Sequence, residues 1–174
     1  NLLSRAGVSD GDRVLINGAS GGVGLAAVTL ATLRGAEVTG IASAAKQSAV
    51  RAAGATRVID RSETPPAGTF NAAIDLVGGP AWSGVIEALM PGGHYAVSGA
   101  IAGPLVEMDL RTIYLNDLTI HGCTFTAKAV FAELAELINA GAVRPVIART
   151  YPLAEIVPAQ QDFLEKSTPG KLVL

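Results

Sequence analysis

The run Val14-Leu15-Ile16-Asn17-Gly18-Ala19-Ser20-Gly21-Gly22-Val23-Gly24-Leu25-Ala26-Ala27-Val28 decides the fold. Its opening residues are apolar without polar alternation, as in a strand covered on both faces. Glycines then supply a turn, and a helix follows from about residue 22 to 33. That helix is apolar almost all round, so it is expected to be buried on more than one side. A strand, a glycine-rich turn and a helix head bring free backbone N–H groups and the positive end of a helix dipole to one point. Such a point can hold a phosphate without a charged side chain, and the glycines let the backbone come close to it.

Outward from this run, strand and helix alternate. Residues 1–7 read as the last turns of a helix with Gly7 as its stop. Residues 8–12 form a turn, and 13–17 the first strand. Further strands are expected at 37–43, 57–60, 70–77, 94–98 and 118–123. Helices are expected at 45–53 and 81–89, with one helical turn within 108–116. Phe131, Leu134, Leu137 and Ile138 make an apolar helical stripe opposite Glu133 and Glu136, closed by Gly141. A strand at 146–149, a helix at 154–166 and a strand at 171–174 complete the chain. The pattern predicts an α/β fold, a doubly wound parallel sheet with helices on both faces.

Composition narrows the class. The chain of 174 residues is 49% hydrophobic and 16% charged, against the usual ~25% charged. That supplies a full core and leaves apolar surface for a partner to cover. A net charge of −2 excludes a nucleic-acid footprint. No apolar run reaches the ~20 residues of a membrane span, and no signal peptide is evident. The one cysteine, Cys123, cannot make an internal disulfide, which suits a cytoplasmic setting. The start at Asn1-Leu2-Leu3, without Met and mid-helix in character, leads us to expect a piece of a longer protein.

The phosphate-loop fingerprint G-x-G-x-x-G falls on Ala19, Gly21 and Gly24, with Ala in the first place and Gly18 just before it. In isolation it is a weak motif, with an ordinary tight turn as the alternative; the strand before it and the helix after it favour a dinucleotide site. Such sites for NAD carry Asp or Glu about 20 residues on, where it holds the ribose 2′-hydroxyl. This chain has Ile41-Ala42-Ser43-Ala44-Ala45-Lys46 there, without a carboxylate. Ser43 and Lys46 could donate to a 2′-phosphate, and Arg61 could reach the same pocket. Electrostatics therefore favours NADP(H), although Lys46 and Arg61 could also be solvated surface charges.

Together with the glycine run, Val58-Ile59-Asp60-Arg61, Asp75-Leu76-Val77-Gly78 and Gly170-Lys171-Leu172-Val173-Leu174 resemble the medium-chain dehydrogenase/reductases. The branch resembled is that of the zinc-independent quinone oxidoreductases and related enoyl reductases, and the resemblance covers nearly the whole chain. It implies a Rossmann domain of six parallel strands in the order 3-2-1-4-5-6, binding NADPH. Cofactor contacts are implied at Ser20, Gly21, Gly22, Val23 and Gly24. Ser43, Lys46, Arg61 and Lys166 would surround the 2′-phosphate. Val77 and Gly78 would lie along the adenine side, Gly99, Ala100 and Ile101 by the nicotinamide ribose, and Cys123 and Thr124 at the nicotinamide end. Residues 1–144 would be the cofactor domain. Residues 145–174 would be a tail returning to an N-terminal GroES-like substrate domain that this chain lacks. A homodimer through strand 118–123 is also implied.

The sequence names no general acid or base. One Cys and two His, His94 and His121, do not make a zinc site, and both histidines read as structural. Cys123 reads as a small core residue, and Asp75 as the residue that fixes the turn after its strand. Ser20 lacks the setting of a hydrolase nucleophile. This inventory suits hydride transfer, in which the cofactor carries the chemistry. The expected function is the cofactor domain of an NADPH-dependent quinone or enone reductase, with the substrate met through the absent domain. An enoyl-thioester reductase domain of a larger synthase and a non-catalytic NADPH-binding sensor or structural protein remain as alternatives.

Overall fold

The computed structural model describes residues 1–165 and 167–174. After the short helix α1 (Leu2–Arg5) come β1 (Arg13–Asn17), α2 (Gly22–Leu33), β2 (Glu37–Ile41), α3 (Gln47–Ala52) and β3 (Arg57–Ile59). The second half of the sheet is built from β4 (Phe70–Asp75), α4 (Trp82–Glu87), β5 (Leu89–Val97), α5 (Leu110–Leu115) and β6 (Thr119–Gly122). The remainder is α6 (Lys128–Asn139), β7 (Ile147–Thr150), α7 (Ile156–Glu165) and β8 (Lys171–Val173).

The main sheet runs β3-β2-β1-β4-β5-β6, and all its pairs are parallel. The expected doubly wound fold and its strand order are thus present. Successive residues of a strand face opposite sides, and here both sides are core. Val14 and Ile16 of β1 pack with Leu25, Val28 and Ala31 of α2 and with Val50 of α3. Leu15, between them, joins Trp82, Val85 and Ile86 of α4 on the other face. Each large aliphatic side chain buried this way contributes roughly 1.5–3 kcal/mol. Helix α2 buries one face, with Leu25, Ala27, Val28 and Ala31 in a single cluster, while Val23 and Leu33 are about half exposed, so the expected burial on more than one side is not found.

Most element ends differ from the expected ones by one or two residues; the largest differences lie around β5. The fourth helix stops at Glu87 rather than near residue 89, and β5 begins at Leu89 rather than at His94. Pro91-Gly92-Gly93, read from sequence as a break, is an irregularity inside the strand. Pairing with β4 jumps from Phe70–Leu89 to Ala72–His94, and the Gly92 N–H donates to the Asn116 carbonyl instead of to the sheet. Such bulges let a strand resume after residues that cannot hold the ladder.

The tail forms its own two-stranded parallel sheet, β7 with β8. The apolar stripe of α6 is present but uncovered: Phe131 is 67% and Ile138 49% exposed.

Candidate functional site

In a parallel sheet every strand delivers its following loop to the same edge. β1 lies mid-sheet, with β2 on one side and β4 on the other. The chain therefore leaves β1 and β4 in opposite directions, and a crevice opens between the two loops at the carboxyl ends of the strands. Gly18 to Gly24 occupies one wall and Leu76 to Gly79 the other.

The glycine turn is built for close approach. Gly18 has φ +82° and sits where a side chain would strike Val77. At Gly24 a Cβ would stand 2.2 Å from the Gly18 carbonyl oxygen, so only glycine lets α2 begin hard against the loop. Gly21 is exposed and N-caps α2, and half-buried Gly22 opens it. Together these backbones form a cradle at the head of a twelve-residue helix, which fits a dinucleotide pyrophosphate. Ala19, in place of the fingerprint's first glycine, is fully buried. Its methyl fills the space left by Gly40 of β2, where a Cβ would come within 2.9 Å of it. The departure from the fingerprint is thus compensated on the neighbouring strand.

The other wall is held by one carboxylate. Asp75 is completely buried. Its Oδ1 accepts from the Val77 and Gly78 backbone N–H groups at 2.8 and 3.1 Å and from Asn17 Nδ2 at 3.0 Å. Its Oδ2 accepts from the Tyr95 hydroxyl at 2.7 Å. Burial, and then the adjoining carboxylate, push the Tyr95 phenol well above its ordinary range. Asp75 does fix the turn after β4, and it also ties that turn to the strand ahead of the glycine loop and to β5. The loop after β5 closes over the same turn, with Ala102 N–H donating to the Val77 carbonyl at 2.9 Å and Gly79 N–H to Gly103 at 3.0 Å.

Ser43 and Arg61 each lie two residues past strand positions that pair with one another, Ile41 with Ile59. The sheet thereby brings them to one corner. Lys46 ends the 3₁₀ turn Ala44–Lys46 at that corner. The corner also holds Asp60, which sequence reading had left out of the pocket although it sits in Val58-Ile59-Asp60-Arg61. Its carboxylate accepts from the Ser62 backbone and hydroxyl at 3.0 and 2.8 Å. The Ser62 contacts, and more weakly the Ala44 backbone, hold its carboxyl below the usual range.

Gly99, Ala100 and Ile101 follow β5 at the same edge, with Ile101 70% exposed. Thr124 is exposed beyond β6, whereas Cys123 is buried in the core with Ala96 and Leu3. Burial pushes the Cys123 thiol up. Lys166 lies outside the described residues. His94 and His121 are far from the glycine turn in sequence and stack on adjacent strands, with His94 Nδ1 and His121 Nε2 at 3.0 Å. Among the described residues no group of three or more His, Cys, Asp or Glu could hold a metal ion.

Fold and crevice define a dinucleotide-binding α/β domain. Residues 53–174 match the zinc-binding dehydrogenase family, and the chain belongs to that family of oxidoreductases, among the medium-chain dehydrogenase/reductases. Among its relatives, the acryloyl-coenzyme A reductase of Metallosphaera sedula is 32% identical over 99% of this chain and 53% of its own length. The quinone oxidoreductase of Sus scrofa is 30% identical, over 99% of this chain and 57% of its own. A putative alcohol dehydrogenase of Sinorhizobium meliloti superposes with a TM-score of 0.94 at 39% identity, covering 99% of this chain and 51% of that one. The chain therefore spans about half the length of the relatives it matches.

Proposed function

We propose that this chain is the cofactor half of an NADPH-dependent reductase acting on a quinone or an activated C=C bond. The carrying observation is the glycine cradle Gly18–Gly24 at the crevice between β1 and β4. Ser20, Gly21, Gly22, Val23 and Gly24 would hold the pyrophosphate through backbone N–H groups. Ser43, Lys46 and Arg61 would take the 2′-phosphate at the β2–β3 corner, while Val77 and Gly78 would face the adenine side. Gly99, Ala100, Ile101 and the backbone of Cys123 and Thr124 would lie toward the nicotinamide.

When bound, the cofactor supplies the hydride. The residues of this chain would bind and orient it, and none is named as an acid or base. Residues 1–144 would form the cofactor domain and 145–174 the segment returning to a substrate-binding half, which would orient the small-molecule substrate. Similarity to both a quinone oxidoreductase and an acryloyl-coenzyme A reductase supports this class of acceptor. We further propose a cytoplasmic homodimer paired through residues 118–123; no helix among the described residues is long and apolar enough to cross a membrane.

One observation favours NADH instead: Asp60 places a carboxylate beside Ser43 and Ala44. Its Oδ1 accepts from the Ser62 backbone and hydroxyl, and Arg61 next to it carries a positive charge. Fluorescence titration of the full-length protein with both cofactors decides between them. The expected result is tighter binding of NADPH; equal affinities would overturn the assignment of Ser43, Lys46 and Arg61. Turnover of a quinone, an enone and an enoyl thioester then identifies the acceptor. NADPH binding without turnover of any of them would favour a non-catalytic sensor.

A further inference from the structure

Both walls of the crevice and the loop after β5 converge on one carboxylate. Asn17 and Asp75 end adjacent strands and are direct partners in the β1–β4 register. Asp75 Oδ1 takes three donors, the Asn17 amide and the backbone N–H groups of Val77 and Gly78. These come from both walls. Oδ2 takes the Tyr95 hydroxyl at 2.7 Å. The turn that Asp75 holds contains two successive residues in the left-handed region, Gly78 with φ +62° and Gly79 with φ +65°. It is packed closely on both sides. A Cβ on Gly18 would stand 2.8 Å from Val77 Cγ2, and one on Gly99 would stand 2.9 Å from the Leu76 carbonyl oxygen. The glycine loop and the segment that opens with Gly99 therefore both rest on residues 76–79, and a shift of that turn moves all three. Asp75 and Tyr95 are themselves buried, so they act on a ligand only through the backbone they hold.

We propose that Tyr95 is a positioning residue of the dinucleotide site: its hydroxyl pins Asp75, and Asp75 sets the spacing of the glycine loop, the turn after β4 and the loop after β5. This rests on the reading of the crevice as a dinucleotide site and adds to it a residue of β5 that meets no cofactor atom. Asp75 receives four donors and gives none, the pattern of a carboxylate. The terminal torsion of such a group is soft, so its plane is fixed only when both oxygens are engaged. A hydroxyl donating to a carboxylate makes a short, charge-assisted bond, and the Tyr95 ring that carries it is held edge-on against Trp82 at 6.4 Å. Loss of the hydroxyl frees Oδ2, lets the carboxylate turn and slackens its hold on Val77 and Gly78. Because the walls of the crevice would hold the parts that NADH and NADPH share, both cofactors weaken alike, in contrast to the effect of Ser43, Lys46 and Arg61 at the 2′-phosphate corner.

A double-mutant cycle on the full-length protein tests this, with NADPH and NADH titrated into the wild type, Tyr95→Phe, Asp75→Asn and the double variant. Titrations are made at a temperature where circular dichroism shows each variant folded, so that a loss of stability alone leaves affinity unchanged. Tyr95→Phe should raise the Kd of both dinucleotides by the same factor, roughly tenfold. Asp75→Asn, which keeps the shape and one acceptor oxygen, should also weaken both. The double variant should bind no more weakly than Asp75→Asn, because the hydroxyl acts through the carboxylate. Wild-type affinity in folded Tyr95→Phe would overturn the assignment and leave the site reading standing. Independent losses that multiply in the double variant would overturn it too, because the two residues would then act separately. If Asp75→Asn does not fold, Tyr95→Phe decides by the same criterion. Failure of the wild-type protein to bind either dinucleotide would remove the site reading and this inference together.

Discussion

Gly24 and Arg61 show how differently single residues of this crevice act. Gly24 works by having no side chain: backbone atoms of Gly18 and Ala19 occupy the space a Cβ would need, the nearest at 2.2 Å. Backbone cannot move aside as a flexible side chain can. Gly24→Ala should therefore destabilise the fold by about 1–3 kcal/mol, measured by denaturant unfolding, and should weaken both dinucleotides together. Arg61, exposed two residues past β3, would act by charge under the proposed reading. Arg61→Ala should leave stability unchanged and weaken NADPH more than NADH, by about 1–3 kcal/mol for a lost charge-assisted contact. Equal losses for the two cofactors in a titration would show that Arg61 does not face a 2′-phosphate. The glycine positions were legible from sequence because each has one physical reason. The role of Ala19 was not, because its compensation by Gly40 is a contact between neighbouring elements.

At the scale of elements, β5 carries two features that join it to its neighbours. Tyr95 is buried, stacks edge-on against Trp82 at 6.4 Å and donates to Asp75. Tyr95→Phe keeps the ring and removes one donor from a buried carboxylate. It should cost about 1–3 kcal/mol in thermal or denaturant unfolding, and a neutral result would show that water replaces the hydroxyl. The second feature is the pair His94 and His121, on β5 and β6. Burial, His94 and Arg5 hold the His121 imidazole below its ordinary value of 6.5. The unfolded chain therefore binds this proton more tightly than the folded one, and the folded state loses stability as pH falls. The contribution is intact above about pH 6.5 and is lost as pH drops through the lower folded value. Melting temperatures between pH 8 and 5 should fall, and His121→Gln should flatten that fall; an unchanged slope would assign it to other groups. The sequence marked both histidines as structural, but their pairing depends on the β5–β6 register.

For the whole molecule, the open question is what covers its apolar surface. Within this chain β6 pairs with β5 alone, and its outward Ile120 is 39% exposed. An unpaired apolar edge invites strand addition. If a second copy supplies it, Ile120→Lys should shift the full-length protein toward monomer in sedimentation velocity without loss of cofactor binding. An unchanged oligomeric state would place the interface elsewhere. The tail is the other whole-molecule feature. Its strands pair with each other, yet Gly170 and Lys171 bring it onto the glycine turn.

By itself, the sequence determined the layers, the strand order implied by its family segments, and the glycine turn. Those follow from local causes: unbroken apolar strands can only be buried on two faces, and a turn needing positive φ or close approach selects glycine. What only the tertiary structure decided are the things that join distant residues. These are the Asp75 network spanning β1, β4 and β5, the methyl of Ala19 in the gap at Gly40, Asp60 at the same corner as Ala44, and the stem of Lys171 across Gly22. No local pattern encodes them, because each partner's residue type suits many environments and only the sheet register and the path of the tail bring the partners together. The glycine turn itself was legible; its walls, its corner and the lysine lying on it were set by packing.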